Sequence, residues 1–105
     1  MTVTTHVLDT ARGRPAAGIA VLLERVAGDG WEHVGRGTTD ADGRARELGA
    51  SGAGRYRLIF DTGAYLGDTA FYPQVTVEFR VGEGDDHYHV PLLLNPFGYS
   101  TYRGS

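Results

Sequence analysis

Apolar and polar residues alternate along most of this chain, and the alternating stretches are rich in β-branched and aromatic residues. Gly, Asp and Pro separate these stretches at intervals of roughly 8–12 residues, a spacing typical of short antiparallel strands. The pattern predicts eight strands, near Val3–Asp9, Ile19–Val26, Glu32–Thr38, Arg44–Glu47, Tyr56–Asp61, Val75–Val81, His87–Leu94 and Tyr99–Arg103. We therefore expect an all-β sandwich of two four-stranded antiparallel sheets.

Three segments rich in glycine are expected to connect strands. Ala27–Gly30 (AGDG) and Asp40–Gly43 (DADG) contain glycine for positive φ and aspartate that hydrogen-bonds its own backbone, so both are predicted as hairpin tips. Gly49–Gly54 (GASGAG) is predicted as a flexible connection.

One short helix is expected between Asp61 and Val75, capped by Asp61 or Thr62. This interval is long for a hairpin, so we expect it to carry the chain from one sheet to the other.

Length and composition indicate one globular domain. The chain has 105 residues, of which 41% are apolar and 22% are charged, and these are ordinary values for a folded domain. No segment repeats and no linker divides the sequence. Residues 1–105 are therefore expected to form a single domain.

Charge and cysteine content exclude several classes of function. The net charge is −3, and the ten basic residues are spread from Arg12 to Arg103 without a basic stripe, so nucleic acid is not an expected partner. Because cysteine is absent, a thiol nucleophile, a disulfide framework and a Cys-ligated zinc site are excluded.

The start MTVTTHVLD lacks signal-peptide features, and the aliphatic run Val90–Leu94 is too short to cross a bilayer. We expect no membrane association and a cytoplasmic location.

Histidine offers the main chemical signal. His87 and His89 alternate along one predicted strand, so both side chains lie on one face. His6 lies in the first predicted strand, and Arg44 directly follows a turn glycine. A zinc site would need a third ligand such as His6, but no carboxylate or cysteine lies at a typical spacing. The residues alone leave three interpretations open: a metal site, a structural histidine pair, and a catalytic group.

Three longer segments together resemble one known family. These segments are HVLDTARGRPAAGIAV near the start, TTDADGR in the middle, and HYHVPLLLNPFGYSTYRGS at the end. They are similar to the transthyretin-related proteins, specifically to the branch that hydrolyses 5-hydroxyisourate, over nearly the whole chain. The most specific motif is YRGS, because the family's enzymes end on it and the hormone-carrying transthyretins do not.

The resemblance implies a transthyretin-like sandwich subunit with about eight strands and one short helix. Such subunits dimerise edge to edge and form a homotetramer, with sites in the channel between dimers. His6, Arg44 and His89 match the histidine, arginine and histidine of the enzyme branch, where transthyretins carry lysine, glutamate and threonine. Tyr102 matches the family's substrate-contacting tyrosine. No cofactor or metal is implied.

The expected reaction converts 5-hydroxyisourate to 2-oxo-4-hydroxy-4-carboxy-5-ureidoimidazoline, in urate breakdown. Water is the expected nucleophile on the lactam, with either His6 or His89 as general base. Arg44 is expected to bind the substrate and stabilise the oxyanion. A non-catalytic small-ligand carrier and an unrelated interaction module are the alternatives.

The final segment is expected to form part of the site. A last strand from Tyr99, antiparallel to the strand of His89, would place Ser100 and Tyr102 on one face, with Tyr102 in the channel of His89. Gly104 would let the backbone pass close to the substrate. Ser105 or its carboxylate would then close the pocket. His87 is assigned a structural role.

Overall fold

The computed structural model describes residues 1–49 and 52–105, except for the side chain of Thr69. Its elements are β1 (Thr2–Asp9), β2 (Arg14–Pro15), β3 (Ala20–Ala27), β4 (Gly30–Thr38), β5 (Arg44–Ala45), β6 (Gly54–Phe60), α1 (Thr62–Leu66), a 3₁₀ helix (Gly67–Thr69), β7 (Val75–Val81), β8 (His87–Asn95) and β9 (Gly98–Thr101). The predicted connection at Gly49–Gly54 lies partly outside the described residues. The predicted all-β sandwich with one short helix is confirmed.

The strands form two packed sheets. The first sheet has the order β2-β1-β8-β9, with β5 also paired to β1, and the second has the order β4-β3-β6-β7. Strands β1 and β8 are parallel, and the other pairs are antiparallel. The first sheet therefore has five strands where four were predicted, and its β1–β8 pair is parallel where antiparallel pairing was predicted. Its additional strand, β2, is only the pair Arg14–Pro15, which is too short to show an alternating pattern.

Of the two predicted hairpin turns, one is confirmed by the structure and the other is wrong. Ala27 pairs with Gly30 across a two-residue loop in which Gly28 has φ 58°, so the first predicted hairpin is confirmed. The prediction for Asp40–Gly43 was wrong, because the strands on either side, β4 and β5, belong to different sheets. This turn packs against β1 instead, where Val7 N–H donates to the Gly43 carbonyl at 2.7 Å.

The segment between β6 and β7 also differs from its prediction. It joins neighbouring strands of the same sheet and does not change sheets. The segment folds back on itself, because Gly63 N–H donates to the Pro73 carbonyl at 2.8 Å and the Thr62 hydroxyl donates to the Tyr72 carbonyl at 2.6 Å. The predicted cap is confirmed, since Asp61 Oδ1 accepts a hydrogen bond from Ala64 N–H.

The hydrophobic core lies between the sheets, and strand alternation decides what lies outside it. Odd-numbered residues of β1 and even-numbered residues of β8 are buried. The fully buried large side chains are Val3, Val7, Ile19, Val21, Leu23, Leu48, Tyr56, Leu58, Phe60, Val75, Leu92 and Leu94. Alternation therefore places Thr4, His6 and His89 on the outer face of the first sheet. No helix in the described part of the chain is long and apolar enough to span a membrane.

Candidate active site

The parallel pairing of β1 and β8 aligns polar side chains on the outer face of the first sheet. Thr2 pairs with His87 and Thr4 pairs with His89. Paired residues lie on the same side of a sheet. The rings of the two histidines lie 6.5 Å apart and nearly parallel, at 12°, which confirms that they share a face.

The short strand β5 brings Arg44 to this face. Its pairing with β1 places Arg44 opposite His6. The preceding turn fixes the backbone, because Asp40 Oδ1 accepts hydrogen bonds from Asp42 N–H at 2.9 Å and from Arg44 N–H at 3.0 Å. The bond from Arg44 is the main cause that lowers the pKa of Asp40. Strand β5 ends at Ala45, before its predicted end at Glu47, and Glu47 has a left-handed backbone with φ 58°.

His89 is the more enclosed histidine of the pair on β8. Its Nδ1 lies 2.8 Å from the Thr4 hydroxyl oxygen. Burial is the main cause that lowers the pKa of His89, and Arg44, His6 and His87 lower it further. The neutral imidazole is therefore favoured near pH 7, and a neutral imidazole can accept a proton.

His6 has a different environment. Its Nε2 lies 2.8 Å from the backbone carbonyl of Asp42. A carbonyl oxygen only accepts hydrogen bonds, so this nitrogen carries the proton. His6 thus ties β1 to the turn that positions Arg44.

A recess of about 330 Å³ lies over this face. Its lining residues are Thr4, Thr5, Arg44, Arg46, His87, His89 and Ser105. Arg46 is a functional candidate that the sequence interpretation missed, although it has the same parity as Arg44 on the predicted strand. Arg46 also lies 3.8 Å from Asp40 in an ion pair. The recess combines two guanidinium groups with two imidazoles, which suits a planar anionic ligand.

The predicted site residues do not all meet within one chain. Arg44, His89 and Ser105 line the recess, while His6 lies beside it as the pairing partner of Arg44. Tyr102 is 57% exposed and lines a separate cavity of about 250 Å³, between β7 and the segment after β9.

The final residues continue along β8 after β9 ends at Thr101. The predicted antiparallel pairing of β8 and β9 is confirmed. Beyond it, Gly104 N–H donates to the His89 carbonyl at 2.8 Å. Arg103 lies over the Tyr88 ring, with its guanidinium carbon 4.6 Å from the ring centroid. These contacts bring Ser105 to the recess.

A larger cavity lies on the outer face of the second sheet and lacks the same chemistry. Its volume is about 790 Å³, and its polar lining comes mainly from Arg36, Asp61 and Gln74. It contains no histidine, the residue type whose unperturbed pKa lies closest to neutral pH. Among the described residues, no group of three or more His, Cys, Asp or Glu side chains is placed to hold a metal ion.

Comparisons with known proteins show which proteins the whole chain is similar to. The chain is 46% identical over 106 residues to the 5-hydroxyisourate hydrolase of Salmonella dublin, covering 95% of this chain and 78% of that protein. The structure of Klebsiella pneumoniae 5-hydroxyisourate hydrolase superposes with a TM-score of 0.86 at 38% identity, covering 99% of this chain and 98% of that one. Sea bream transthyretin in complex with thyroxine gives a TM-score of 0.90 at 36% identity, covering 97% and 93%.

The family assignment follows from the extent of these matches. The HIUase/Transthyretin family matches residues 3–104, which include every lining residue of the recess except Ser105. The resemblance predicted from the sequence motifs is thereby confirmed. The chain belongs to the HIUase/Transthyretin family.

Proposed function

We propose that this chain is a metal-independent hydrolase that converts 5-hydroxyisourate to 2-oxo-4-hydroxy-4-carboxy-5-ureidoimidazoline in urate breakdown. The observation that carries the proposal is one recess holding both Arg44 and the enclosed imidazole of His89. The names of the similar bacterial proteins support the same activity. Residues 1–105 act as one domain.

The substrate suits the charges of the recess. 5-Hydroxyisourate is a planar oxidised purine with several carbonyl groups, and it readily forms an anion. The Arg44 guanidinium offers planar paired donors to such carbonyl oxygens. Arg46 adds a second positive charge on the same side. Tyr102 and Ser105 are proposed to complete substrate binding.

The hydrolysis begins with His89 as general base. A proton of the attacking water passes to Nε2 of His89 while the water oxygen bonds to the lactam carbonyl carbon. The carbonyl electrons move onto oxygen, and Arg44 stabilises this oxyanion. The carbon–nitrogen bond then breaks, and the proton on Nε2 passes to the leaving nitrogen. The neutral imidazole is regenerated.

His6 supports this reaction from beside the recess. Its Nε2–H is occupied by the Asp42 carbonyl, so this nitrogen cannot accept a proton from water. The hydrogen bond holds the turn that places Arg44. His89 lines the recess whereas His6 lies beside it, so His89 is the better assignment for the base, and His6 is assigned to positioning Arg44.

The working unit is proposed to be a homotetramer with sites in the channel between dimers. Large aromatic residues are exposed on the single chain, including Phe97 at 76% and Phe71 at 67%, and such surfaces often mark protein contacts. Both β7 and β9 are edge strands that border one apolar cavity, which suits edge-to-edge pairing. A second copy would also enclose the shallow recess and bring further residues, such as Tyr102, near it.

The alternative is a small-ligand carrier of the transthyretin type. The likeness to sea bream transthyretin in complex with thyroxine favours a shared fold. A recess lined by two arginines and two histidines fits a polar planar anion better than a largely apolar hormone.

A spectrophotometric assay with freshly generated 5-hydroxyisourate tests the proposal. We expect the purified protein to accelerate loss of the substrate well beyond the spontaneous rate, and Arg44→Ala to abolish most of this acceleration. Thyroxine binding without turnover would instead support the carrier. Light scattering tests the tetramer, and a fully active monomer would contradict it. The cytoplasmic location is tested by cell fractionation.

A further inference from the structure

An unbroken row of hydrogen-bonding groups runs along the outer face from His89 to the edge of the recess. The hydroxyls of Thr2 and Thr4 on β1 each lie beside imidazole nitrogens on β8. The Thr4 oxygen lies 2.8 Å from His89 Nδ1 and 3.3 Å from His87 Nε2. The Thr2 oxygen lies 2.8 Å from His87 Nδ1 and 3.4 Å from the Asp86 carbonyl.

The Asp86 carbonyl gives this row a direction. It can only accept, so the Thr2 hydroxyl donates to it, and the Thr2 oxygen then accepts from His87 Nδ1–H. A neutral His87 with its proton on Nδ1 has a bare Nε2, which accepts the Thr4 hydroxyl proton. The Thr4 oxygen in turn accepts from His89 Nδ1–H. Every donor in the row is satisfied in this arrangement.

This arrangement determines the protonation of the other ring nitrogen of His89, Nε2. A neutral imidazole carries one proton, so Nε2 keeps its lone pair. No hydrogen-bonding partner of this nitrogen is found in residues 1–49 and 52–105. The row thus selects the tautomer that a general base requires.

We propose that Thr4 and His87 are positioning residues that hold His89 in its Nδ1–H tautomer and relay a proton between the two imidazoles during hydrolysis. The inference rests on the proposed hydrolase function. When His89 Nε2 takes a proton from water, the Nδ1 proton moves to the Thr4 oxygen and the Thr4 hydroxyl proton moves to His87 Nε2. The positive charge then lies on His87, and the reverse shift accompanies proton donation to the leaving nitrogen.

The charges around the recess favour this movement. His89 faces Arg44 on β5 and His6 on β1, and both disfavour its cationic form. Arg46 lines the same recess. His87 is exposed, so water can solvate its charge. This relay gives His87 a role beyond the structural one expected from the sequence.

The test combines a spectroscopic readout with kinetics on Thr4→Val, which removes the hydroxyl while keeping a β-branched shape. Long-range ¹H–¹⁵N correlation spectra report which ring nitrogen of His89 carries the proton. We expect Nδ1–H in the unmodified protein and a shift towards Nε2–H in Thr4→Val. The turnover number should fall by about tenfold to a hundredfold, as for other lost orienting hydrogen bonds. Thr4→Ser should restore both.

Two further variants separate the relay from a loss of packing. Thr10→Val removes a hydroxyl that donates to the Leu94 carbonyl beyond the end of β1, so it should leave the tautomer and turnover unchanged. His87→Phe keeps an exposed ring but removes both nitrogens, so it should act like Thr4→Val even if the latter folds poorly.

The experiment distinguishes failure of the proton relay from failure of the proposed hydrolase function. A protein that hydrolyses the substrate while His89 carries its proton on Nε2 would overturn the relay and leave the hydrolase intact. Near-normal turnover in folded Thr4→Val or His87→Phe would also overturn it. An inactive unmodified protein would refute the hydrolase function, and the spectra would still test the tautomer.

Discussion

Gly104 lies so close to the ring of His89 that no side chain fits between them. A Cβ atom at position 104 would come within 2.5 Å of His89 Cδ2 and 3.2 Å of Cγ. The two residues are also joined by the backbone hydrogen bond from Gly104 N–H to the His89 carbonyl. The sequence interpretation gave Gly104 a role beside the substrate, whereas the structure places it against the proposed base.

Gly104→Ala is therefore expected to reduce hydrolysis by displacing the imidazole or the segment that carries Ser105. A misplaced catalytic group commonly costs on the order of a hundredfold in rate. The folded state should remain stable, since the contact lies at the edge of the sheet. Turnover and thermal unfolding measured together test this.

Gly30→Ala is the matched control for that change. Gly30 also lies in a strand region, but a Cβ there meets nothing within 4 Å. Unchanged turnover is expected. Equal losses in the two variants would mean that the effect at position 104 is not local to His89.

The residues His6, Arg44 and His89 are predicted to act together. Replacing each one by alanine should lower turnover by about a hundredfold or more, the scale of losing general-base help or an oxyanion partner. Stability should change little, because all three lie on the outer face. Steady-state rates of folded variants check this, and near-normal rates in two of the three would refute the assignment.

Strand alternation explains why the histidine face was predictable from sequence. Because side chains have a period of two along a strand, His87 and His89 had to share a face wherever that strand lay. Burial then required the apolar alternate positions, such as Tyr88 and Val90, to point inward. Local periodicity was sufficient for this part of the site.

Long-range pairing explains what the sequence did not predict. The Asp40–Gly43 turn has ordinary hairpin chemistry, but the chain leaves it into a different sheet because β5 pairs with β1. Nothing local encodes that pairing, nor the parallel register that sets Thr4 beside His89. The same non-local contacts bring Arg46 to the recess and place Tyr102 in a separate cavity.

The pH dependence should report the neutral form of His89. Its pKa is lowered from 6.5, chiefly by burial, so the neutral imidazole already predominates at pH 6.5 and increases further above it. The value of kcat/KM should therefore be constant near neutral pH and fall on the acid side, with a midpoint below 6.5. A midpoint above 6.5 would contradict the assignment.

The lowered pKa of His89 also makes the free energy of unfolding depend on pH. Since the folded state binds the His89 proton less readily than the unfolded chain, the unfolded state binds more protons between the two pKa values. The contribution of His89 to the free energy of unfolding should rise with pH through that window. Removing Arg44, one of the groups that lower the pKa of His89, should raise its NMR titration midpoint.

Tyr65 is predicted to anchor α1 to the end of β1. Its hydroxyl donates to Asp9 Oδ2 at 2.7 Å, and Asp9 is only 2% exposed. Tyr65→Phe should lower the free energy of unfolding by about 1–2 kcal/mol, because a buried carboxylate loses one donor. Denaturant unfolding measures this loss. The matched control is Tyr99→Phe. The Tyr99 hydroxyl has no hydrogen-bond partner among the described residues, so this change should leave the free energy of unfolding unchanged.

Removal of Tyr102–Ser105 should abolish hydrolysis while the sandwich remains folded. The deletion takes away Ser105 from the recess, the Gly104 contact with His89, and the stacking of Arg103 on Tyr88. The core between the sheets contains none of the four deleted residues, so circular dichroism should change little.

Tyr102→Phe should be milder than the deletion, since it removes a single hydroxyl and leaves the contacts of Arg103, Gly104 and Ser105 in place. The two proteins are compared by their rates on 5-hydroxyisourate and by their masses in solution. Both are expected to remain largely tetrameric. A deletion variant with the normal rate would show that this segment is a tail, because it would mean that His89 and Arg44 hydrolyse the substrate without the wall that Ser105 supplies.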